Sequence, residues 1–287
     1  MAVLSADLRP PHRGMDPETL DLQYSPSRRV PSLAAVTERF DRVGAEQRSL
    51  VVHERVQYGP HPDEWMWYSP ATRPDAPLHV FIHGGYWRRL SADDGTLWSV
   101  RFRELGAAFA SINYSLCPGQ PLRELVRQTR SAVRFLVERA DRFGHDPSRI
   151  HLSGHSAGAH LAALCLTDLD HGIASATFAS GIYDLTPLLF TNVNNEIRLD
   201  ENEARALSPL TQVPRSSVPT VVAIAEDDTE EFRRQSLQWA SAWAETPGNL
   251  PPVVMQVSNR HHFDLIDDLA DPETALGSVV LRHMGLC

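Results

Sequence analysis

The stretch "HLSGHSAGAHL" (residues 151–161) contains the feature that decides the fold. It holds the motif Gly154-His155-Ser156-Ala157-Gly158, which is G-x-S-x-G, between the strand-like "RIHLSG" and the helix-like "AGAHLAALCL". Between a strand and a helix, the two glycines permit a turn too tight for side chains, and the turn lifts the serine hydroxyl out at the end of the sheet. A serine in an ordinary turn is the competing interpretation, but this context favours Ser156 as a catalytic nucleophile.

Strand-like and helix-like segments alternate around this motif. The strand-like segments include "LHVFIHGG", "AAFASINYSL", "ATFASGIYDL", "TVVAIAED" and "PVVMQVSN", and amphipathic segments such as "LRELVRQTRSAVRFLVERADRFG" lie between them. This alternation predicts an α/β fold whose mostly parallel central sheet carries helices on both faces. Two earlier segments, "LVVHERVQYG" and "EWMWYSP", alternate in strand fashion and predict an antiparallel edge.

The length of 287 residues suits one large domain. We expect that domain to span residues 21–287, after a flexible N-terminal segment, 1–20, rich in Pro, Arg and Asp. Residues 182–218 separate two predicted strands by far more than the usual short connection. This segment is expected to form a small cap insertion over the end of the sheet.

A glycine loop follows another buried strand in "VFIHGGYWRRL" (residues 80–90). Acyl transfer places negative charge on a carbonyl oxygen, and preorganised backbone N–H groups stabilise that charge best. Gly84 and Gly85, with the amide of Ala157 after the serine, are therefore predicted to form the oxyanion hole. Tyr86 and Trp87 are predicted to form the pocket wall beside it, and two core aromatics after a glycine turn are the competing interpretation.

A serine nucleophile needs a base, and the base needs an acid that orients it. With this type of elbow, the acid and then the histidine follow the serine in the chain, in loops after late strands. "TVVAIAEDD" ends with Glu226, Asp227 and Asp228, and "VVMQVSNRHH" ends with His261 and His262. The residues by themselves do not select within either cluster.

Composition excludes several other classes of protein. The net charge of −9 disfavours a nucleic-acid surface, and no segment approaches the roughly 18 apolar residues of a membrane span. Three cysteines, Cys117, Cys165 and Cys287, fit neither a disulfide framework nor a zinc site, and no signal peptide is visible, so a cytoplasmic location is expected. No metal-ligand spacing or phosphate loop is present, so no metal or cofactor is expected.

These motifs together resemble the kynurenine formamidases (arylformamidases), an α/β-hydrolase family close to the HGG-type esterases. The resemblance extends from about Gln23 to the last helix and rests on "QYSPSR", "HGGYW", "SGHSAGAHL", "SGIYDLTPL" and "DDTEEFRRQS". It implies the α/β-hydrolase fold and selects Asp228 and His262 as the partners of Ser156. The acid loop departs from the family pattern in lacking a proline.

The resemblance implies a small-molecule substrate, N-formyl-L-kynurenine, which would be hydrolysed to formate and L-kynurenine in tryptophan catabolism. Tyr183, Asn192 and Asn194 in the cap segment are candidate contacts for the ammonium and carboxylate of such a substrate, and a structural asparagine-rich turn is the alternative. A carboxylesterase acting on small esters would use the same catalytic groups. A non-catalytic binding protein of this fold is the third interpretation, and a homo-oligomer is compatible with the sequence.

Overall fold

One eight-stranded sheet organises the protein in the computed structural model, which describes residues 12–167 and 172–286. The order across the sheet is β1-β2-β4-β3-β5-β6-β7-β8. The strands are β1 (Glu54–Gln57), β2 (Trp65–Ser69), β3 (Ala76–Ile82), β4 (Ala108–Ile112), β5 (His145–His155), β6 (Ile173–Ala179), β7 (Thr220–Ala225) and β8 (Val253–Val257).

The pairing agrees with the sequence pattern. β1 pairs with β2, and β2 with β4, in antiparallel fashion, whereas every other pair in the sheet is parallel. All residues of β3, β4 and β7 are buried. Strands covered on both faces read as continuous apolar runs, which is why these segments were recognisable. The predicted mostly parallel sheet with an antiparallel edge is confirmed.

Ten α-helices are described around the sheet: α1 (Pro17–Gln23), α2 (Leu33–Leu50), α3 (Ser99–Glu104), α4 (Leu122–Glu138), α5 (Ala140–Phe143), α6 (Ala157–Cys165), α7 (Asn194–Ile197), α8 (Glu201–Ala206), α9 (Glu230–Glu245) and α10 (Ala275–Met284). Polar caps begin several of them. The side chains of Ser32, Thr229 and Thr274 accept hydrogen bonds from backbone amides in the first turns of α2, α9 and α10, respectively. None of the described helices is long and apolar enough to cross a membrane.

The N-terminal segment is described from residue 12 onward, and residues 1–11 of the segment expected to be flexible lie outside the described chain. Within the described part, α1 begins at Pro17, capped by the Asp16 side chain, and buries Leu20. The ordered fold therefore starts before residue 21. The cap segment, 182–218, contains α7, α8 and two short 3₁₀ turns, Thr186–Phe190 and Pro209–Thr211.

Several histidines are buried in or against the sheet and are held neutral. Desolvation lowers the pKa of three of them to about 3 and of two others to about 4: His79, His151 and His155, then His83 and His160. As the pH falls, the unfolded chain binds protons on these histidines near pH 6.5, whereas the folded chain binds them only near the lower folded-state pKa values. Stability from these groups is therefore complete above about pH 6.5 and declines as the pH falls toward the folded-state pKa values.

We expect the urea midpoint of unfolding to fall steeply as the pH is lowered from about 7 to about 5. Each buried histidine contributes up to about 1.4 kcal/mol of unfolding free energy per pH unit over that range. His79 offers a clean test because its ring stacks on Phe102 at 4.1 Å and both ring nitrogens lack a described partner. His79→Phe should give a shallower pH dependence than the parent. Equal slopes in the two proteins would contradict this assignment.

Candidate active site

Ser156 stands at the sharp turn between β5 and α6. Its backbone has φ 54° and ψ −119°, a conformation that L-residues rarely adopt. A Cβ added to Gly154 would lie 2.2 Å from the carbonyl oxygen of Gly158, and one added to Gly158 would lie 2.1 Å from that of Ile82. Both glycines of the motif are therefore required by backbone packing, and Ser156 between them is 3% exposed at the bottom of a pocket.

The glycine loop after β3 lies directly beside this turn. A Cβ on Gly84 would approach the His155 carbonyl oxygen to 2.9 Å and the Ser156 Cβ to 3.2 Å. Gly85 has φ +97°, and a Cβ there would lie 2.3 Å from the Arg89 carbonyl oxygen. Among the described residues, no acceptor is found for the amides of Gly84 and Gly85. Ala157 opens α6, so its amide has no acceptor within the helix.

The loop is held from behind by an aromatic contact. Tyr114 stacks on His83 with ring centroids 4.2 Å apart, and its hydroxyl donates to the His83 carbonyl oxygen at 2.7 Å. The His83 Nδ1–H donates to the Gly84 carbonyl oxygen at 2.9 Å. These hydrogen bonds fix the carbonyl groups of His83 and Gly84. They therefore stabilise the loop conformation in which the amides of Gly84 and Gly85 have no acceptor among the described residues.

Asp228 and His262 form a buried pair near the turn. The His262 Nδ1–H donates to Asp228 Oδ1 at 2.7 Å. Asp228 Oδ2 also accepts from the Ser180 hydroxyl and from the Ala225 amide. Burial would raise the pKa of the Asp228 carboxyl, but the neighbouring His262 and these hydrogen bonds outweigh burial and lower that pKa. Asp228 is therefore ionised at neutral pH and orients the imidazole.

The neighbouring residues of each cluster are engaged elsewhere. The Asp227 side chain is 54% exposed and pairs with Arg29 at 3.3 Å. His261 is partly exposed, and its Nδ1 lies 3.2 Å from Asp264 Oδ1. The structure thus brings Asp228, not Asp227, against His262. Ser156 and His262 line the same pocket.

His155, the variable residue before the serine, also contributes to this geometry. Its Nε2–H donates to the His262 carbonyl oxygen at 2.7 Å, and its ring lies 4.9 Å from the His262 ring. Burial lowers the pKa of His155 to about 3, so the ring is neutral and brings no positive charge to the site. No role of His155 is evident from the motif. Its place inside the motif was the only available signal, because its partner lies 107 residues away.

The N-terminal segment forms part of the wall of the pocket in front of Ser156. It spans about 800 Å³ when counted out to its open mouth. Its wall is formed largely by residues around α1 and α2 and by the loop after β3: Tyr24, Ser25, Pro26, Ser27, Leu33, Val36, Thr37, Phe40, Gly85, Tyr86, Arg88, Arg89 and Leu90, with His155, Ser156, Val193, His262 and Phe263 completing it. The segment containing Tyr24 was recognised as a motif but not as a pocket wall.

Tyr24 joins the N-terminal wall to α9. Its hydroxyl donates to Glu231 Oε2 at 2.9 Å and accepts from Gln235 Nε2 at 2.7 Å. Its carbonyl oxygen accepts from the Tyr86 hydroxyl at 2.7 Å. The Thr229 hydroxyl, one residue after Asp228, donates to the Gln23 carbonyl oxygen at 2.6 Å. These hydrogen bonds hold the wall against the elements that carry Asp228 and the glycine loop.

Two of the aromatic residues predicted to contact substrate lie in the core instead. Trp87 is fully buried, and its indole N–H donates to His160 Nδ1 at 3.2 Å. Its backbone has φ 57°, in the left-handed region. Tyr183 is also fully buried and stacks on Trp239 at 5.1 Å. Of the aromatic candidates, Tyr86 alone lines the pocket.

The asparagines of the cap segment are also engaged away from the pocket. Asn192 bonds Asp21 through its amide N–H groups, at 2.7 and 2.9 Å. The Asn194 side chain donates to the Leu199 carbonyl oxygen and accepts from the Leu199 amide, so it stabilises a local turn. Val193 is the residue of the cap that reaches the pocket. The cap prediction was therefore wrong for Tyr183, Asn192 and Asn194: Tyr183 is packed in the core, Asn192 bonds Asp21 of the N-terminal segment, and Asn194 stabilises a local turn.

Comparison with known proteins connects this site to a family. The chain is 34% identical to the kynurenine formamidase of Danio rerio, over 95% of this chain and 98% of that protein. The chain belongs to the kynurenine formamidase family. The kynurenine formamidase of Salmo salar is 32% identical over the same shares of the two chains. The family assignment suggested by the motifs is confirmed, and the protein is a hydrolase.

Two further comparisons concern the fold of this formamidase-family chain. The BD-FAE family model matches residues 66–179, which include the glycine loop and the serine turn. A crystal structure from silicibacter sp. tm1040 has a TM-score of 0.81 and 27% identity, and the match covers 91% of this chain and 98% of that one. With the strand order given above, this likeness confirms the α/β-hydrolase fold. In residues 12–167 and 172–286, no group of three or more His, Cys, Asp or Glu could hold a metal ion.

Proposed function

We propose that this protein hydrolyses N-formyl-L-kynurenine to formate and L-kynurenine. The observation that carries the proposal is the buried Asp228–His262 pair, whose imidazole lines one pocket with Ser156 in a chain of the kynurenine formamidase family. A serine, an oriented imidazole and an ionised carboxylate are the groups that acyl transfer requires.

In the proposed mechanism, His262 takes the proton of the Ser156 hydroxyl as that oxygen attacks the formyl carbon. Asp228 keeps the imidazole in the tautomer whose Nε2 accepts the proton, and it stabilises the imidazolium that forms. The amides of Gly84, Gly85 and Ala157 hold the oxyanion of the tetrahedral intermediate. His262 then protonates the departing arylamine nitrogen, and a formyl ester remains on Ser156.

Water then hydrolyses the formyl ester, with His262 acting first as the base and then as the acid. His262 removes a proton from the water molecule as it attacks the formyl ester, and the serine leaves with that proton while formate is released. A formyl group needs almost no acyl space, which suits a serine closely covered by Gly84. The larger leaving group would occupy the apolar part of the pocket around Leu33, Val36 and Phe40. No cofactor is needed for either step.

The substrate preference is a direct test. We expect kcat/KM for N-formyl-L-kynurenine to exceed that for p-nitrophenyl acetate by at least about tenfold, or about 1.4 kcal/mol of transition-state stabilisation. The ester has the better leaving group, but kynurenine offers a ring and a charged tail whose binding can stabilise the transition state. Steady-state kinetics of both substrates with one enzyme preparation would measure the ratio.

The opposite result would favour the second function. The same groups would serve a carboxylesterase, so rapid ester cleavage with no turnover of N-formyl-L-kynurenine would overturn the formamidase proposal and support an esterase. A non-catalytic binding protein would cleave neither substrate. Labelling by a fluorophosphonate probe separates the binding protein from both hydrolases, because the probe reacts with an activated serine whichever substrate is natural.

A further inference from the structure

The charged residues that line the pocket are all of one sign. Arg88 and Arg89 are the fully charged side chains among the residues that line it, and no carboxylate in the described chain lines it. Asp228 lies behind His262 and is 1% exposed. The remaining lining is mostly apolar or aromatic, so the pocket offers a cationic region beside a surface suited to an aromatic ring.

Arg88 retains a hydrogen-bond donor that no described residue uses. Its guanidinium donates through Nη1 to Glu196 in α7 of the cap, and its carbon atom Cζ lies 5.9 Å from the centre of the Tyr86 ring. Nε is buried and has no described partner. A buried N–H group without an acceptor is unfavourable, and such groups in native structures call for an explanation.

Arg89 lies next to it at the pocket rim. It is exposed, and it forms no ion pair with any residue of the described chain. Two arginines at one pocket, one paired with Glu196 and one exposed to solvent, can bind a carboxylate by charge-assisted hydrogen bonds.

We infer that Arg88, assisted by Arg89, binds the carboxylate of the substrate and selects N-formyl arylamines that carry an acidic tail. The inference rests on the proposed function, because it names the substrate class of the same site. The aromatic ring lies on the apolar wall, and the tail carboxylate accepts from the exposed part of the Arg88 guanidinium, whose side chain is 19% exposed and lines the pocket. This remote contact positions the formyl carbon at Ser156.

A structural role is the competing explanation for Arg88. If the arginine served only to hold Glu196 and the cap, then removing either partner would have the same effect on catalysis. If Arg88 binds the substrate, the two changes differ. Glu196→Gln leaves the guanidinium in place and relieves it of a competing carboxylate, whereas Arg88→Gln removes the group that contacts the tail.

The experiment compares N-formyl-L-kynurenine with N-formylkynuramine, the same molecule without its carboxylate. In the parent enzyme, kcat/KM should favour the acid, and Arg88→Gln should lower this ratio by about tenfold or more, the loss of a charge-assisted hydrogen bond. Most of the loss should appear in KM for the acid. Glu196→Gln should leave the ratio unchanged or raise it, and Arg205→Gln, an exposed arginine paired with Glu201, controls for a general loss of charge.

Arg89→Gln covers the case in which Arg88→Gln does not fold, because Arg89 is exposed. It should lower the same ratio by a smaller factor. A parent enzyme that cleaves both formamides equally well would overturn the carboxylate inference and leave the formamidase function intact. An equal loss in Glu196→Gln and Arg88→Gln would also overturn it. Turnover of neither formamide would overturn the inference and the proposed function together.

Discussion

Ser156→Ala is expected to lower kcat/KM for N-formyl-L-kynurenine by about 10⁴- to 10⁶-fold, because the acyl-enzyme route needs the hydroxyl that the substitution removes. Alanine keeps the Cβ, so the strained turn at φ 54° and the fold should remain. The measurement is steady-state kinetics together with fluorophosphonate labelling, and labelling should be lost with the activity.

Ser153→Ala is the matched control. Ser153 lies three residues earlier in β5, and its buried hydroxyl has no described partner, so its removal breaks no observed bond. We expect the Ser153 variant to retain activity and labelling. Near-parental turnover by purified Ser156→Ala would exclude Ser156 as the nucleophile, whichever substrate is used.

Asp228→Asn is expected to reduce kcat by about 10⁴-fold, the effect of placing an amide where a triad carboxylate orients histidine. The carboxylate accepts from the His262 Nδ1–H at 2.7 Å, and an asparagine N–H₂ facing that nitrogen would favour the wrong tautomer. The fold should persist because the two side chains have the same shape. Activity and a thermal unfolding curve would be measured on the same sample.

Asp227→Asn provides the comparison for that result. Asp227 is adjacent in sequence, is more than half exposed and pairs with Arg29, so its replacement should change kcat by less than about threefold, as surface ion pairs contribute little. If the two variants lost activity equally, or if Asp227→Asn were the worse enzyme, the assignment of Asp228 as the orienting acid would be wrong.

The N-terminal segment, more than the cap, forms the wall of the pocket in front of Ser156. The long segment 182–218 was expected to cover the serine, yet Val193 is the one residue of this segment that lines the pocket. The covering wall comes instead from residues around Tyr24, whose hydroxyl bonds Glu231 and Gln235 across more than 200 positions of sequence. Substrate specificity is therefore expected to depend on the start of the chain as much as on the cap.

Local signals explain what could be predicted from the sequence alone. Gly154, Gly158 and Gly84 each occupy a position where a Cβ would collide with backbone, so the residue type itself reports the close approach. Apolar runs such as β3 report burial on both faces of a sheet. The alternation of strands and helices, the serine turn and the adjacent glycine loop were therefore predictable from short stretches of residues.

The remaining features depended on contacts between distant parts of the chain. Asp227 and Asp228 are equivalent candidates in the sequence. Their environments differ because the loop that carries His262 contacts Asp228, whereas Asp227 pairs with Arg29. Trp87 and Tyr183 are large aromatics near the site, but their burial against His160 and Trp239 follows from packing between elements. The sequence by itself determined which backbone turns form, because steric exclusion acts within a few residues, whereas only the tertiary structure decided which side chains meet in the pocket, because that depends on long-range packing.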